Sequence, residues 1–213
     1  VGNRMLYAYR RQADFLLEEG ALPSQIDKGI YDFGLPMGHF AMSDLAGLDI
    51  GWDRETSAGR TLREVLCERG RFGQKSGAGY YTYDTATRKS SPDAEVEELI
   101  ARFAADQGIE RREVSDEEIL QRCTYPMINE GAKILEEGIA ARPLDVDVIW
   151  IYGYGFPRYW GGPMKWADLQ GLPALLADIE SYAKEDAWFW EPAPLLKQLV
   201  AEGRSFDDLN KQA

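Results

Sequence analysis

The feature that most limits how this chain can fold is an internal repeat. Leu-Glu-Glu-Gly occurs at 17–20 and again at 135–138, each time closing a stretch of helical periodicity. Each copy is followed by an aromatic segment that passes through Gly, any residue and Pro and closes in Asp-Leu-any residue-Gly. These segments are IYDFGLPMGHFAMSDLAG at 30–47 and IWIYGYGFPRYWGGPMKWADLQG at 149–171. Asp27 and Asp147, Gly34 and Gly155, Pro36 and Pro157, Asp44 and Asp168, and Gly47 and Gly171 hold corresponding places, with offsets drifting from 118 to 124. Small loop insertions in a diverged duplication produce such drift. The repeat predicts two tandem helical units related by a pseudo-twofold axis, one over 1–92 and a diverged copy over 93–213.

Apolar spacing predicts what the units are made of. Met5, Leu6, Tyr9, Ala13, Leu16 and Leu17 recur at helical intervals up to Gly20, a good helix stop. Ser24 and Asp27 have capping-box spacing at the start of a short helix that ends near Gly34, ahead of Pro36. Further helices are expected over 37–47, 62–68, 96–108, 173–184 and 194–201. A long one opens at the Ser115 and Glu118 cap and runs past Pro126. Tyr80, Tyr81, Thr82 and Tyr83 have strand propensity, and the polar stretch 84–92 reads as a linker. Trp188, Phe189 and Trp190 are expected to anchor the tail. The fold class is therefore all-α, with a short extended segment near 80–83.

With 24 Lys and Arg against 36 Asp and Glu, the net charge is −12, which repels nucleic acid and anionic membranes. No apolar run reaches the roughly 20 residues of a membrane helix, so membrane insertion is not expected. Cys67 and Cys123 stand alone, which argues against a disulfide framework and for a reducing, cytoplasmic-type compartment. One histidine and no paired cysteines make a metal site improbable on composition. There is no GxGxxG between a strand and a helix, no GxxxxGK, no HExxH and no GxSxG. The chain enters a helix almost at Val1, as a piece of a longer polypeptide would.

A few residues stand out as candidates. His39 is the one histidine; it is read as a structural or surface residue, with Asp44 the carboxylate able to face it, against an acid/base role. Asp44 and Asp168 read as acceptors for backbone N–H groups. The loop RFGQKSGAG at 71–79 admits two readings: an anion cradle built by Arg71, Lys75, Ser76 and glycine amides, or a tight structural turn. Asn3, taken alone, reads as a helix N-cap.

Several of these residues belong to an ordered set. VGNR at 1–4, PMG at 36–38 followed by SDLAGLD at 43–49, and GQKSGAGYY at 73–81 resemble the C-terminal helical domain of the 3-hydroxyacyl-CoA dehydrogenases. YPMINE at 125–130 and FPRYWGGP at 156–163 resemble the second helical domain of the multifunctional fatty-acid oxidation enzymes, which carry an enoyl-CoA hydratase.

The resemblance implies that an NAD-binding Rossmann domain precedes these helices and holds the nucleotide and a catalytic His and Glu, so no cofactor site is expected in this chain. Asn3 matches the family's active-site asparagine, which lies near the substrate carbonyl. Pro36, Met37 and Gly38 are expected to line the acyl tail of the acyl-CoA substrate, and His39 departs from the family pattern, where Pro follows PMG. Gln121 stands where Asn3 would recur, so the second copy is expected to be a structural partner lacking its own site. By this likeness the copy at 30–47 faces substrate while that at 149–171 builds core and the seam between the units, the separate chain is monomeric and inactive alone, and a thiolase subunit is a candidate partner. The alternative is a helical assembly module without substrate contact.

Overall fold

The predicted periodicities become helices in the computed structural model, which describes residues 1–211. In chain order these are α1 (Gly2–Glu19), α2 (Pro23–Phe33), α3 (His39–Ala46), α4 (Leu62–Glu68), α5 (Ala94–Asp106) and α6 (Asp116–Glu136). They continue with α7 (Pro143–Gly153), α8 (Pro163–Gln170), α9 (Leu172–Tyr182), α10 (Pro194–Glu202) and α11 (Phe206–Leu209). Among the described residues the strands are β1 (Thr82–Tyr83) and β2 (Ser90–Ser91), paired antiparallel with Thr82 opposite Ser91. The fold is all-α, as its periodicity predicts.

Two local expectations are corrected. Residues 84–92 form a hairpin rather than a linker. Asp84 Oδ1 accepts the N–H groups of Ala86 and Thr87 and the Thr87 hydroxyl, an Asx turn that brings β2 back onto β1. The Ser24 and Asp27 capping box does not form. Pro23 takes the first helical position, where its missing N–H costs nothing, and Asp27 turns inward one turn later.

The chain separates into two compact units that interleave along the sequence. One comprises 1–12, 33–36 and 120–213. Its core gathers Met5, Phe33, Trp150, Phe156, Met164 and Trp166. Phe33 meets Phe156 and Trp166 edge-on at 5.6 and 5.2 Å and stacks on Trp160 at 6.1 Å. Such aromatic pairs add about 0.5–1.5 kcal/mol each beyond area burial. Helix α8 packs on α7, α9 and α11, and α10 packs on α9. In the tail, Trp190 is buried against Tyr182 at 4.7 Å, whereas Trp188, expected to anchor the tail, is 80% exposed.

The other unit comprises 13–32 and 37–119. Leu16, Leu17, Ile26, Ile30, Phe40, Leu66 and Ile100 are buried in it. Arg111 donates to the carbonyls of Leu17 and Gly20 at 3.1 and 3.0 Å, satisfying acceptors that the end of α1 leaves open.

One hydrogen-bonding device occurs in both units. Asp27 accepts the N–H groups of Phe40 and Ala41 at 2.9 and 2.8 Å, at the start of α3. Its counterpart Asp147 accepts those of Met164 and Lys165 at the start of α8. Asp44, within α3, accepts from Tyr80 and Tyr81 N–H, and Asp168, within α8, accepts from Phe206 and Asp207 N–H. Each carboxylate satisfies two consecutive backbone donors, the reading given to Asp44 and Asp168 from sequence. Gly38 and Gly162 leave room for it: a Cβ on either would lie 2.3 Å from an atom of Asp27 or Asp147.

Candidate functional site

Asn3 sits in the first turn of α1 with its side chain exposed. It does not act as an N-cap; its Oδ1 accepts a hydrogen bond from the Tyr154 hydroxyl at 2.7 Å. The Tyr154 ring stacks on Trp150 at 4.7 Å and 28°. Trp150 is fully buried, and its Nε1 donates to Met5 Sδ at 3.1 Å. Gly2 makes this packing possible, since a Cβ there would lie 2.1 Å from the Tyr154 ring. With the amide oxygen occupied, the two N–H donors on Nδ2 are left to a carbonyl or hydroxyl oxygen.

Pro36 is exposed in the same unit as Asn3. A Cβ on Gly155 would come within 2.8 Å of the Pro36 ring, so Asn3 and Pro36 border the consecutive residues Tyr154 and Gly155. Met37 and Gly38 belong to the other unit, where Met37 is 36% exposed and Gly38 is buried against Asp27. Gly38 therefore serves the Asp27 clasp.

His39 is buried, and the carboxylate facing it is Asp14, 3.2 Å from Nε2, with the Ser43 hydroxyl 3.5 Å from Nδ1. Asp44, the carboxylate that sequence spacing offered to it, is committed to backbone donors and the Tyr83 hydroxyl. The loop 71–79 is a structural turn. Lys75 pairs with Asp49 at 2.5 Å, Arg71 pairs with Asp93 at 2.5 Å, and Ser76 Oγ accepts from Phe72 N–H. The groups that would cradle an anion have partners within the unit.

Burial sets the electrostatics of the clasps. It pushes Asp147 up to about 7 against the lowering effect of its backbone bonds, and pushes Asp27, Asp44 and Asp168 up as well. Burial likewise raises the Cys67 thiol to about 11, far from a reactive thiolate. Among the described residues no group of three or more His, Cys, Asp or Glu is placed to hold a metal ion. No helix among the described residues is long and apolar enough to cross a membrane.

Tyr154 is the residue that sequence reasoning missed. It lies in the segment assigned to core and to the seam between the copies, where Phe156 and Trp166 are buried, and its hydroxyl reaches a residue 151 positions earlier. Aromatic density was its one signal.

Comparison with known proteins fits this geometry. A profile of the family described as 3-hydroxyacyl-CoA dehydrogenase, C-terminal domain, matches residues 1–83 and 119–210. The chain is 45% identical over 226 residues to the peroxisomal bifunctional enzyme of Danio rerio, covering 95% of this chain and 32% of that protein. It is 43% identical to the peroxisomal bifunctional enzyme of Homo sapiens, covering 95% of this chain and 31% of that protein. It spans about a third of the length of these relatives. The dehydrogenase part of multifunctional enzyme 1 from C. elegans superposes with a TM-score of 0.75 at 30% identity, covering 92% of this chain and 46% of that one.

Proposed function

Since the chain belongs to the 3-hydroxyacyl-CoA dehydrogenase C-terminal domain family, we propose that it is the substrate-closing and assembly part of an NAD-dependent enzyme that oxidises 3-hydroxyacyl-CoA to 3-oxoacyl-CoA in fatty-acid β-oxidation. Asn3 carries the reading. Its exposed amide, with the oxygen held by Tyr154, presents N–H donors suited to the C3 oxygen as that atom changes from hydroxyl to carbonyl. The exposed Pro36 and Met37 are assigned to the acyl chain.

NAD, which accepts the hydride in such a reaction, is assigned to a nucleotide-binding domain elsewhere in the longer polypeptide. The residues of this chain do not fit it, having no glycine fingerprint between a strand and a helix. The catalytic base is assigned to that same domain.

The relatives' names extend the proposal. They are bifunctional and multifunctional proteins, which supports fusion to an enoyl-CoA hydratase. Peroxisomes are named for them, and we carry that compartment in preference to the cytoplasm. The separate family matches to 1–83 and 119–210 support two copies divided near residue 92. With both copies in one chain, the fragment is proposed to be monomeric, and a thiolase subunit is carried as a candidate partner.

The test is Asn3→Ala in the full-length polypeptide, following NADH formation from a 3-hydroxyacyl-CoA. The reading expects kcat to fall at least about tenfold. Unchanged dehydrogenase kinetics would favour a purely structural assembly module.

A further inference from the structure

We propose that Tyr154, contributed by the second copy, is the positioning residue that orients the Asn3 amide, so that the copy lacking its own asparagine completes the site of the copy that has one. This rests on the reading of Asn3 as a donor to substrate. An exposed asparagine is free to rotate about its terminal torsion, presenting oxygen or nitrogen to a ligand. The Tyr154 O–H removes that freedom by donating to Oδ1 at 2.7 Å, leaving the Nδ2 donors outward.

The phenol is itself fixed. Its ring stacks on the buried Trp150, whose Nε1 donates to Met5 Sδ, two residues beyond Asn3 on the same helix. Asn3, Tyr154, Trp150 and Met5 thus form a closed circuit back onto α1. Gly2 completes it by leaving the first turn open to the ring.

The second copy shows what the first has borrowed. Its corresponding amide, Gln121, also has its oxygen taken by a tyrosine, Tyr182, at 2.8 Å. That tyrosine comes from the same copy, and Gln121 is half-buried where Asn3 is exposed. The phenol-to-amide pairing recurs, but at Asn3 the amide is exposed and the bond crosses from one copy to the other.

The full-length enzyme tests this as wild type, Tyr154→Phe, Asn3→Ala and the double variant, assayed by NADH formation from a 3-hydroxyacyl-CoA together with thermal midpoints. Tyr154→Phe keeps the stacked ring and removes only the hydroxyl. We expect kcat to fall about tenfold with KM within about twofold and little change in midpoint. In the Asn3→Ala background the same change should cost less than about twofold, because the two residues act as one unit. Gly2→Ala, which displaces the ring, should reproduce the kcat loss. Activity of Tyr154→Phe within about twofold of wild type, or an equal loss in both backgrounds, overturns the positioning role. If Asn3→Ala alone leaves kcat intact, the Asn3 reading fails. If Asn3→Ala is damaging and Tyr154→Phe is silent, only the positioning role fails.

Discussion

Arg122 Nε donates to Gln12 Oε1 at 2.8 Å, with both side chains buried. The Leu-Glu-Glu-Gly offset of 118 makes Arg4 the counterpart of Arg122, and Gln12 the counterpart of Glu130. Arg4 Nε donates to the Glu130 carboxylate, so the contact is made twice with the partners exchanged. A twofold axis produces that pattern, which supports the pseudo-twofold relation proposed for the two copies. Arg4 adds bonds of 2.5 and 2.7 Å to Glu137, the largest cause of its upward pKa shift.

Gln12→Leu removes the Oε1 that accepts from Arg122 Nε while filling similar space. The expected loss is about 1.5–3 kcal/mol, that of one hydrogen bond to a charged group. Glu130→Gln should cost less than about 1 kcal/mol, because Arg4 is partly exposed and keeps Glu137. Urea unfolding of the two variants side by side tests the order, and equal losses would contradict it.

Gly38→Ala and Gly162→Ala each drive a Cβ into the aspartate that clasps the following helix. Both should destabilise by about 1–3 kcal/mol through overpacking. Gly162→Ala should be the worse by about 1 kcal/mol or more, because Gly162 also has φ +106 whereas Gly38 has φ −77. Thermal unfolding checks both claims.

The repeat made much of this legible in the sequence. Repeat register alone pairs Asp27 with Asp147 and Asp44 with Asp168, and the paired residues share a hydrogen-bond pattern. Helices with a regular apolar stripe were equally readable. Helix α7 was not, because apolar residues surround it: Trp150 is buried while Leu144, Val148 and Tyr152 are exposed, so no periodic face marks it. The hairpin at 84–92 hid in polar residues whose order comes from one aspartate side chain. Partners such as Asp14 for His39 and Tyr154 for Asn3 are set by tertiary packing, and local spacing carries no record of them.

The Asp147 clasp predicts a pH dependence of stability. Its carboxyl is raised by burial from the ordinary 3.8 to about 7, so the folded state binds a proton more tightly than the unfolded chain. Its contribution is fully present below pH 3.8 and is lost as the pH rises through about 7. Wild type should therefore gain stability relative to Asp147→Asn as the pH falls from about 7.5 to 4.5, by on the order of a few kcal/mol. Urea midpoints of both proteins across that range give the difference directly, in which the other titrating groups common to both cancel. A difference independent of pH would mean that the two backbone bonds hold Asp147 ionised throughout.

Met37 provides the test of substrate contact that is least confounded by folding. Its side chain is 36% exposed, and no buried group of its unit depends on it in the way that Asp27 depends on Gly38. Met37→Glu should leave the thermal midpoint nearly unchanged, since exposed substitutions away from special features fall within about 0.5 kcal/mol. If the residue lines the acyl chain, a carboxylate there penalises each additional methylene that must pass it. The ratio of kcat/KM for long over short 3-hydroxyacyl-CoA substrates should then fall about tenfold or more in the full-length enzyme. An unchanged ratio across chain lengths would remove Met37 from the substrate path and leave Asn3 and Pro36 as the assigned contacts.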